Sequence, residues 1–197
     1  MPLRSAPIFY YDLSSPYAYL TAAHIDEVMP VAAEWRPIAF GVIVKRLGRV
    51  PWSFAADRSG DFEEIARRAS RRGLPPVRYP PGWPVETYSL IPLRAAMLAD
   101  GQPQLRALTA ELYRIAFVEG RALADLETVL EAVERVGMDG AEVTAGIERE
   151  QTKAKLRAAT EAALARGVMG VPTVAVGDAL FWGDDRLQDA AASAAAA

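Results

Sequence analysis

Phe9-Tyr10-Tyr11-Asp12-Leu13-Ser14-Ser15-Pro16-Tyr17-Ala18-Tyr19-Leu20 decides the fold. Residues 7–13 are aromatic and apolar and read as a short buried strand. The rest opens a helix. Ser15 has the short polar side chain of an N-cap, and Pro16 has the fixed φ that suits the first helical position. This helix is expected to run to about Met29. A strand that turns straight into a helix leaves the first helical N–H groups at the strand's end, where they favour an anion.

Outward from this junction, Glu34–Phe40 reads as a second strand, with Pro37 placing it at an edge or a bulge. Residues 41–54 hold Gly41, Gly48 and Pro51 without a clean period and read mostly as loop. Asp61–Arg72 is a charged helix ending at Gly73. Leu74–Glu86, with five prolines, is an irregular loop. Thr87–Asp100 is a helix closed by Gly101. Leu105, Leu108, Leu112 and Ile115 form one apolar helix face, and Leu123 through Val136 form another that Gly137 stops. Glu148–Arg166 is an alanine-rich helix ending at Gly167. Strands follow at Thr173–Val176 and Ala179–Trp182 around the turn dipeptide Gly177-Asp178. A last helix begins near Asp184, and its alanine tail is expected to fray after Ser193. The order predicts an α/β protein with a mixed sheet and an all-helical insertion.

The 197 residues, 51% of them apolar, suffice for one large or two small domains with a real core. A net charge of -3 speaks against nucleic acid as a partner. The cluster Arg67-Arg68…Arg71-Arg72 is balanced by Asp61, Glu63 and Glu64 and reads as a solvated helix face. No cysteine is present, which excludes a disulfide framework, a thiolate metal site and self-contained thiol–disulfide chemistry. The N-terminus lacks a signal-like apolar stretch, and no segment approaches the ~20 apolar residues of a membrane span. A cytoplasmic protein without a membrane partner is the expectation.

Several residues are candidates for chemistry. Ser15 reads either as a plain cap or as a hydroxyl that stabilises a bound thiolate at a helix start. The only histidine, His24, sits mid-helix in this reading, so a Ser-His-Asp relay is not expected. A cis Val171-Pro172 bond in Gly170-Val171-Pro172-Thr173 would turn the Val171 main chain outward to pair with an extended peptide. In Phe181-Trp182-Gly183-Asp184-Asp185-Arg186-Leu187, the aspartates read as acids on a helix dipole or as a carboxylate for a ligand ammonium. Lys45 reads as a solvated lysine or as a cation for an anionic substrate, beside apolar Val42, Ile43 and Val44. Trp52, Tyr79, Trp83 and Tyr88 read as packing or as an aromatic wall.

Jointly these residues resemble the 2-hydroxychromene-2-carboxylate isomerase family and the related kappa-class glutathione transferases. Both lie in the group of thioredoxin-fold proteins with a DsbA-like helical insertion. The resemblance spans the chain and rests on Phe9–Leu20, the Lys45…Gly48…Pro51 loop, Tyr79–Thr87 and Gly170–Leu187. It implies a thioredoxin-like domain from residues 1–53 and 149–197, with a helical insertion at 54–148. It implies glutathione, or another low-molecular-weight thiol, as cofactor. Ser15 matches the thiol-activating serine, and Ala18 stands where a second redox cysteine would be. Val171 and Pro172 match the backbone clamp. Trp182, Gly183, Asp184 and Asp185 match the γ-glutamyl segment, and Lys45 matches a substrate-side lysine. Arg49, Tyr79 and Trp83 lie on that same side. Arg49 and Glu86 stand where asparagines are usual. The implied activity is cis/trans isomerisation of a conjugated enone acid by reversible thiolate addition, in the degradation of aromatic compounds, on a small aromatic-derived carboxylate, by a homodimer. A kappa-like transferase or peroxidase, or a non-catalytic thiol- or peptide-binding protein, is the alternative. No metal site is expected.

Overall fold

The computed structural model describes residues 6–87 and 89–196. Four strands form one mixed sheet: β1 (Ile8–Tyr11), β2 (Glu34–Pro37), β3 (Thr173–Val176) and β4 (Ala179–Trp182), in spatial order β2-β1-β3-β4. β1 and β2 are parallel, with Phe9 opposite Trp35. β1–β3 and β3–β4 are antiparallel, with Phe9 opposite Val174 and Thr173 opposite Trp182. Pro37 lies on an edge strand, where its missing N–H breaks no ladder.

Side-chain alternation gives the sheet two faces. Phe9, Tyr11, Trp35, Val174 and Val176 face the larger core. There the Phe9, Tyr11 and Trp35 rings pack at centroid distances of 5.2–5.9 Å. Tyr10 and Ala175 face a smaller cluster with Ile38, Ile43, Ala163, Val168 and Val171. The larger core takes in α1 (Pro16–Ala22), α2 (Ile25–Val28) and α10 (Leu187–Ala196). It continues without a break into α4 (Ser59–Arg71), α5 (Leu90–Leu98), α6 (Gln104–Arg114), α7 (Leu126–Arg135) and α8 (Gly140–Ile147). α3 (Phe40–Leu47) and α9 (Glu150–Ala165) cover the other face. No described helix is long and apolar enough to cross a membrane.

The structure corrects several expectations. Residues 41–54 are not mostly loop, because α3 occupies Phe40–Leu47 and a 3-10 turn occupies Trp52–Phe54. The N-cap of α3, Ala39, contributes no side-chain bond. Instead the Phe40 N–H is held by Asp12 Oδ2 at 2.8 Å and the Ala39 N–H by Thr160 Oγ1 at 3.0 Å. The helix expected to reach Met29 breaks after Ala22, and His24 lies at the N-cap of α2, paired with Glu27. The strand expected to reach Phe40 ends at Pro37. Helix α5 begins at Leu90 rather than Thr87. After α6 the chain passes into a wider π turn over Ile115–Glu119, and Gly120 ends it with φ 72°. Helix α8, absent from the sequence reading, is capped by Asp139, which accepts from Ala141 and Glu142 N–H. Helix α10 continues past Ser193 to Ala196.

Candidate active site

The loop between β1 and α1 sits at the head of a cleft of about 890 Å³. Ser15 is the N-cap of α1 as expected, with extended backbone and Oγ accepting from Ala18 N–H at 3.2 Å. Its own O–H remains available as a donor. Ser14, beside it, also lines the cleft. The Ser14 N–H and Oγ–H both donate to Asp12 Oδ1, at 2.9 and 2.8 Å, and its carbonyl accepts from Trp83 Nε1 at 3.0 Å. Asp12 lies at the cleft floor with 1% of its surface exposed. Burial, which penalises the ionised form, raises its carboxyl above the ordinary value, against the opposing hydrogen bonds from Ser14, Phe40 and Ser89.

The Val171–Pro172 bond is cis, as expected, and Trp83–Pro84 is a second cis bond. Val171 and Pro172 line the cleft beside Ser15. Val171 is 8% exposed, yet its N–H and C=O hold no hydrogen bond among the described residues. The Gly183 N–H donates to the Pro172 carbonyl at 2.9 Å, tying the end of β4 to this loop. Gly170 and Gly183 are required here. A side chain on Gly170 would run into the Trp182 indole, and Gly183 has φ 114°.

Asp184 and Asp185 open a 3-10 turn, Asp184–Arg186, before α10. Their side chains part company. The Asp184 carboxylate is fully enclosed. Arg72 grips it with both Nη atoms at 2.7 and 3.0 Å, Arg68 Nη1 donates at 3.1 Å, and Thr21 Oγ1 donates at 3.1 Å. It is committed to the protein, so the ligand-ammonium reading falls to Asp185, whose side chain is 63% exposed at the cleft. Arg68 and Arg72 are accordingly not part of a solvated face. They leave α4 to neutralise a buried acid, and Arg68 also lines the cleft.

Arg49 lies 4.8 Å over the Trp182 ring and donates to the Met169 carbonyl at 3.3 Å, next to the Val171–Pro172 loop. Val42, Val50 and Phe54 add exposed apolar surface. Trp52 and Trp83 line the cleft 5.6 Å apart. Tyr79 stands behind them, against Phe62, Trp83 and Phe117, with its hydroxyl enclosed and without a partner among the described residues. Lys45 is exposed on α3 and does not line the cleft. Tyr88 lies outside the described residues. Tyr17, which the sequence reading did not single out, lines the cleft and donates to Asp61 at 3.1 Å. Burial and the Asp61 charge push its hydroxyl up to about 12. Asp12, Ser14 and Arg68 were missed as well. A carboxylate at the end of an aromatic strand was the one signal available for Asp12. Among the described residues no cluster of His, Cys, Asp and Glu could hold a metal ion.

The fold and this cleft at the strand-to-helix junction define a thioredoxin-type protein. The DsbA-like thioredoxin domain family matches residues 8–194, and the chain belongs to it. The chain is similar to 2-hydroxychromene-2-carboxylate isomerase from Sphingobium xenophagum, 25% identical over 185 residues that cover 91% of this chain and 92% of the relative. It is similar to the enzyme of the same name from Pseudomonas putida, 25% identical over 91% of this chain and 89% of the relative. Among solved structures, a 2-hydroxychromene-2-carboxylate isomerase superposes with a TM-score of 0.79 at 22% identity, covering 93% of this chain and 91% of that one. The cytosolic disulfide reductase DsbM from Pseudomonas aeruginosa with GSH superposes with a TM-score of 0.65 at 19% identity, covering 97% and 96%.

Proposed function

We propose that the protein is an isomerase of the 2-hydroxychromene-2-carboxylate type that works with bound glutathione on a conjugated enone acid. One observation carries this reading. Ser15, the main chain of Val171, unpartnered among the described residues, and the Gly183–Asp185 turn converge on a single cleft. The names of the curated relatives support the substrate class. DsbM, a neighbour of the same fold, was solved with GSH, which agrees with the choice of thiol.

The donor set fits a tripeptide thiol. Val171 offers an N–H and a C=O to an extended main chain, Asp185 offers a carboxylate to an ammonium group, and Ser15 offers a hydroxyl proton at a helix start. Glutathione held there would supply a thiolate capable of reversible addition to the substrate's double bond. The Ser15 hydroxyl and the Tyr17 N–H, the donor of the first turn of α1 left without an acceptor among the described residues, hold that negative charge and lower the pH at which the thiol ionises. Arg49, in place of Lys45, takes the substrate carboxylate from the cleft wall. Trp52, Trp83, Val42 and Phe54 exclude water from the flat apolar body. A cleft of about 890 Å³ is within the size range of small-molecule sites and has room for both partners.

Ultraviolet thiolate absorbance of bound glutathione, followed against pH, tests the reading. In the parent the bound thiol titrates one or more units below the free value of ~8.5, and in Ser15→Ala it moves back toward it. The variant also loses about 1 kcal/mol of stability with its cap. Overlapping titration curves would reduce Ser15 to an N-cap and remove the proposed mechanism. Glutathione concentration stays constant through turnover; its consumption would favour a transferase.

A further inference from the structure

Ser14 and Ser15 face the same cleft, but their hydroxyls have opposite capacities left. Ser15 Oγ already accepts, from Ala18 N–H, and retains its proton. Ser14 Oγ already donates, to Asp12 Oδ1 at 2.8 Å, and retains its lone pairs. A thiolate needs donors. A thiol that is about to ionise needs an acceptor, and Ser14 backed by Asp12 is one. No lysine, arginine or histidine pairs with Asp12 among the described residues. The groups that face it are Ser14 in its own loop, the Phe40 N–H of α3, Ser89 before α5, and two tyrosines. Tyr113 of α6 donates to its main-chain oxygen at 3.0 Å, and Tyr11 precedes it on β1. It is an enclosed acid with no compensating charge among these groups.

Resting on the thiol reading above, we infer that Asp12 is a proton-holding residue that acts through Ser14. Asp12 receives the proton of the thiol docked in the cleft and keeps it inside the protein. In the step, Ser14 Oγ takes the proton from sulfur as its own hydroxyl proton passes to Asp12 Oδ1. The S–H electron pair stays on sulfur, so the complex changes neither its net charge nor its proton count. Asp12 starts as a carboxylate, the form favoured by the bonds it accepts from Ser14 and from the Phe40 N–H, while burial raises its affinity for the arriving proton and a thiolate nearby raises it further. Once neutral, the carboxyl leaves Ser15 as donor to the sulfur with no second negative charge beside it.

The test is a count of protons. Glutathione is titrated into the parent, Asp12→Asn and Ser14→Ala by calorimetry, in buffers of different ionisation enthalpy, below the pH at which free thiol ionises. Thiolate absorbance is read in parallel. In the parent, thiolate is expected to form with little proton release to the buffer. In both variants each thiolate formed releases its proton to the buffer, or the bound thiol stays neutral. Ser14→Ala is the informative partner, because it leaves the Asp12 bond to Phe40 N–H in place and so spares α3. Equal proton release per thiolate in all three proteins would make Asp12 purely structural and overturn the inference while leaving the thiol reading intact. Neutral thiol in the parent, or no binding at all, would defeat the thiol reading and this inference with it.

Discussion

At the scale of single residues, Asp184 and Asp185 show how adjacent identical side chains diverge. One is locked between two arginines and a threonine, while the other reaches solvent at the cleft. If Asp185 holds the ligand ammonium as proposed, replacing it with Asn removes one partner of a charge-assisted bond. The expected loss is about 1.5–3 kcal/mol, a ten- to hundredfold weaker dissociation constant for glutathione by calorimetry. Unchanged affinity would reject that role. Asp12 makes a different prediction, for pH. Its folded-state pKa lies above the ordinary 3.8, so the protonated form is favoured by folding. Its contribution to stability is therefore fully present below pH 3.8 and is lost as pH rises through the raised value. Urea unfolding across that range should show the parent losing stability relative to Asp12→Asn as pH increases, and a constant difference would rule this out. Ser15, Val171 and the Gly183–Asp185 turn were legible from the sequence because local motifs carry them. Asp12 and Arg68 were not. The bonds of Asp12 to Phe40 and of Arg68 to Asp184 join residues 28 and 116 positions apart.

At the scale of elements, the strands after the insertion were read to the residue, since β-branched and aromatic residues flank a turn dipeptide that fixes their register. The start of α1 was equally clear from Ser15-Pro16. Helix α3 was illegible for a physical reason. Its start has no local cap, and its first N–H groups are satisfied by Asp12 and by Thr160 of α9. Helix α8 had a usable sign in Asp139, but only eight residues followed it. The cap of α3 is testable. Thr160 is 2% exposed, and Thr160→Val keeps its shape while removing the acceptor for the Ala39 N–H. A buried donor left unpaired should cost about 1–3 kcal/mol in urea unfolding. Hydrogen exchange should quicken at Ala39–Ile43 before it does in α9. Uniform loss of protection would mean that Thr160 serves α9 alone.

At the scale of the molecule, one ion cluster joins parts of the chain that are far apart in sequence. Arg68 and Arg72 come from α4 and the residue that ends it, Thr21 from α1 and Asp184 from the turn before α10. Arg72→Leu leaves a fully enclosed carboxylate one guanidinium short. Removing one partner of a buried pair costs about 3–5 kcal/mol, and the low end is expected here because Arg68 remains. Chemical denaturation measures it, and a loss below about 1 kcal/mol would mean that the pair behaves as a surface one. The placement of the indoles has a practical outcome of another kind. Trp52, Trp83 and Trp182 line the cleft, and the fourth tryptophan, Trp35, is enclosed against β1. The protein thus carries its own optical gauge. A ligand that displaces water from three of the four emitters should shift and quench the intrinsic fluorescence, while Trp35 contributes a constant blue background.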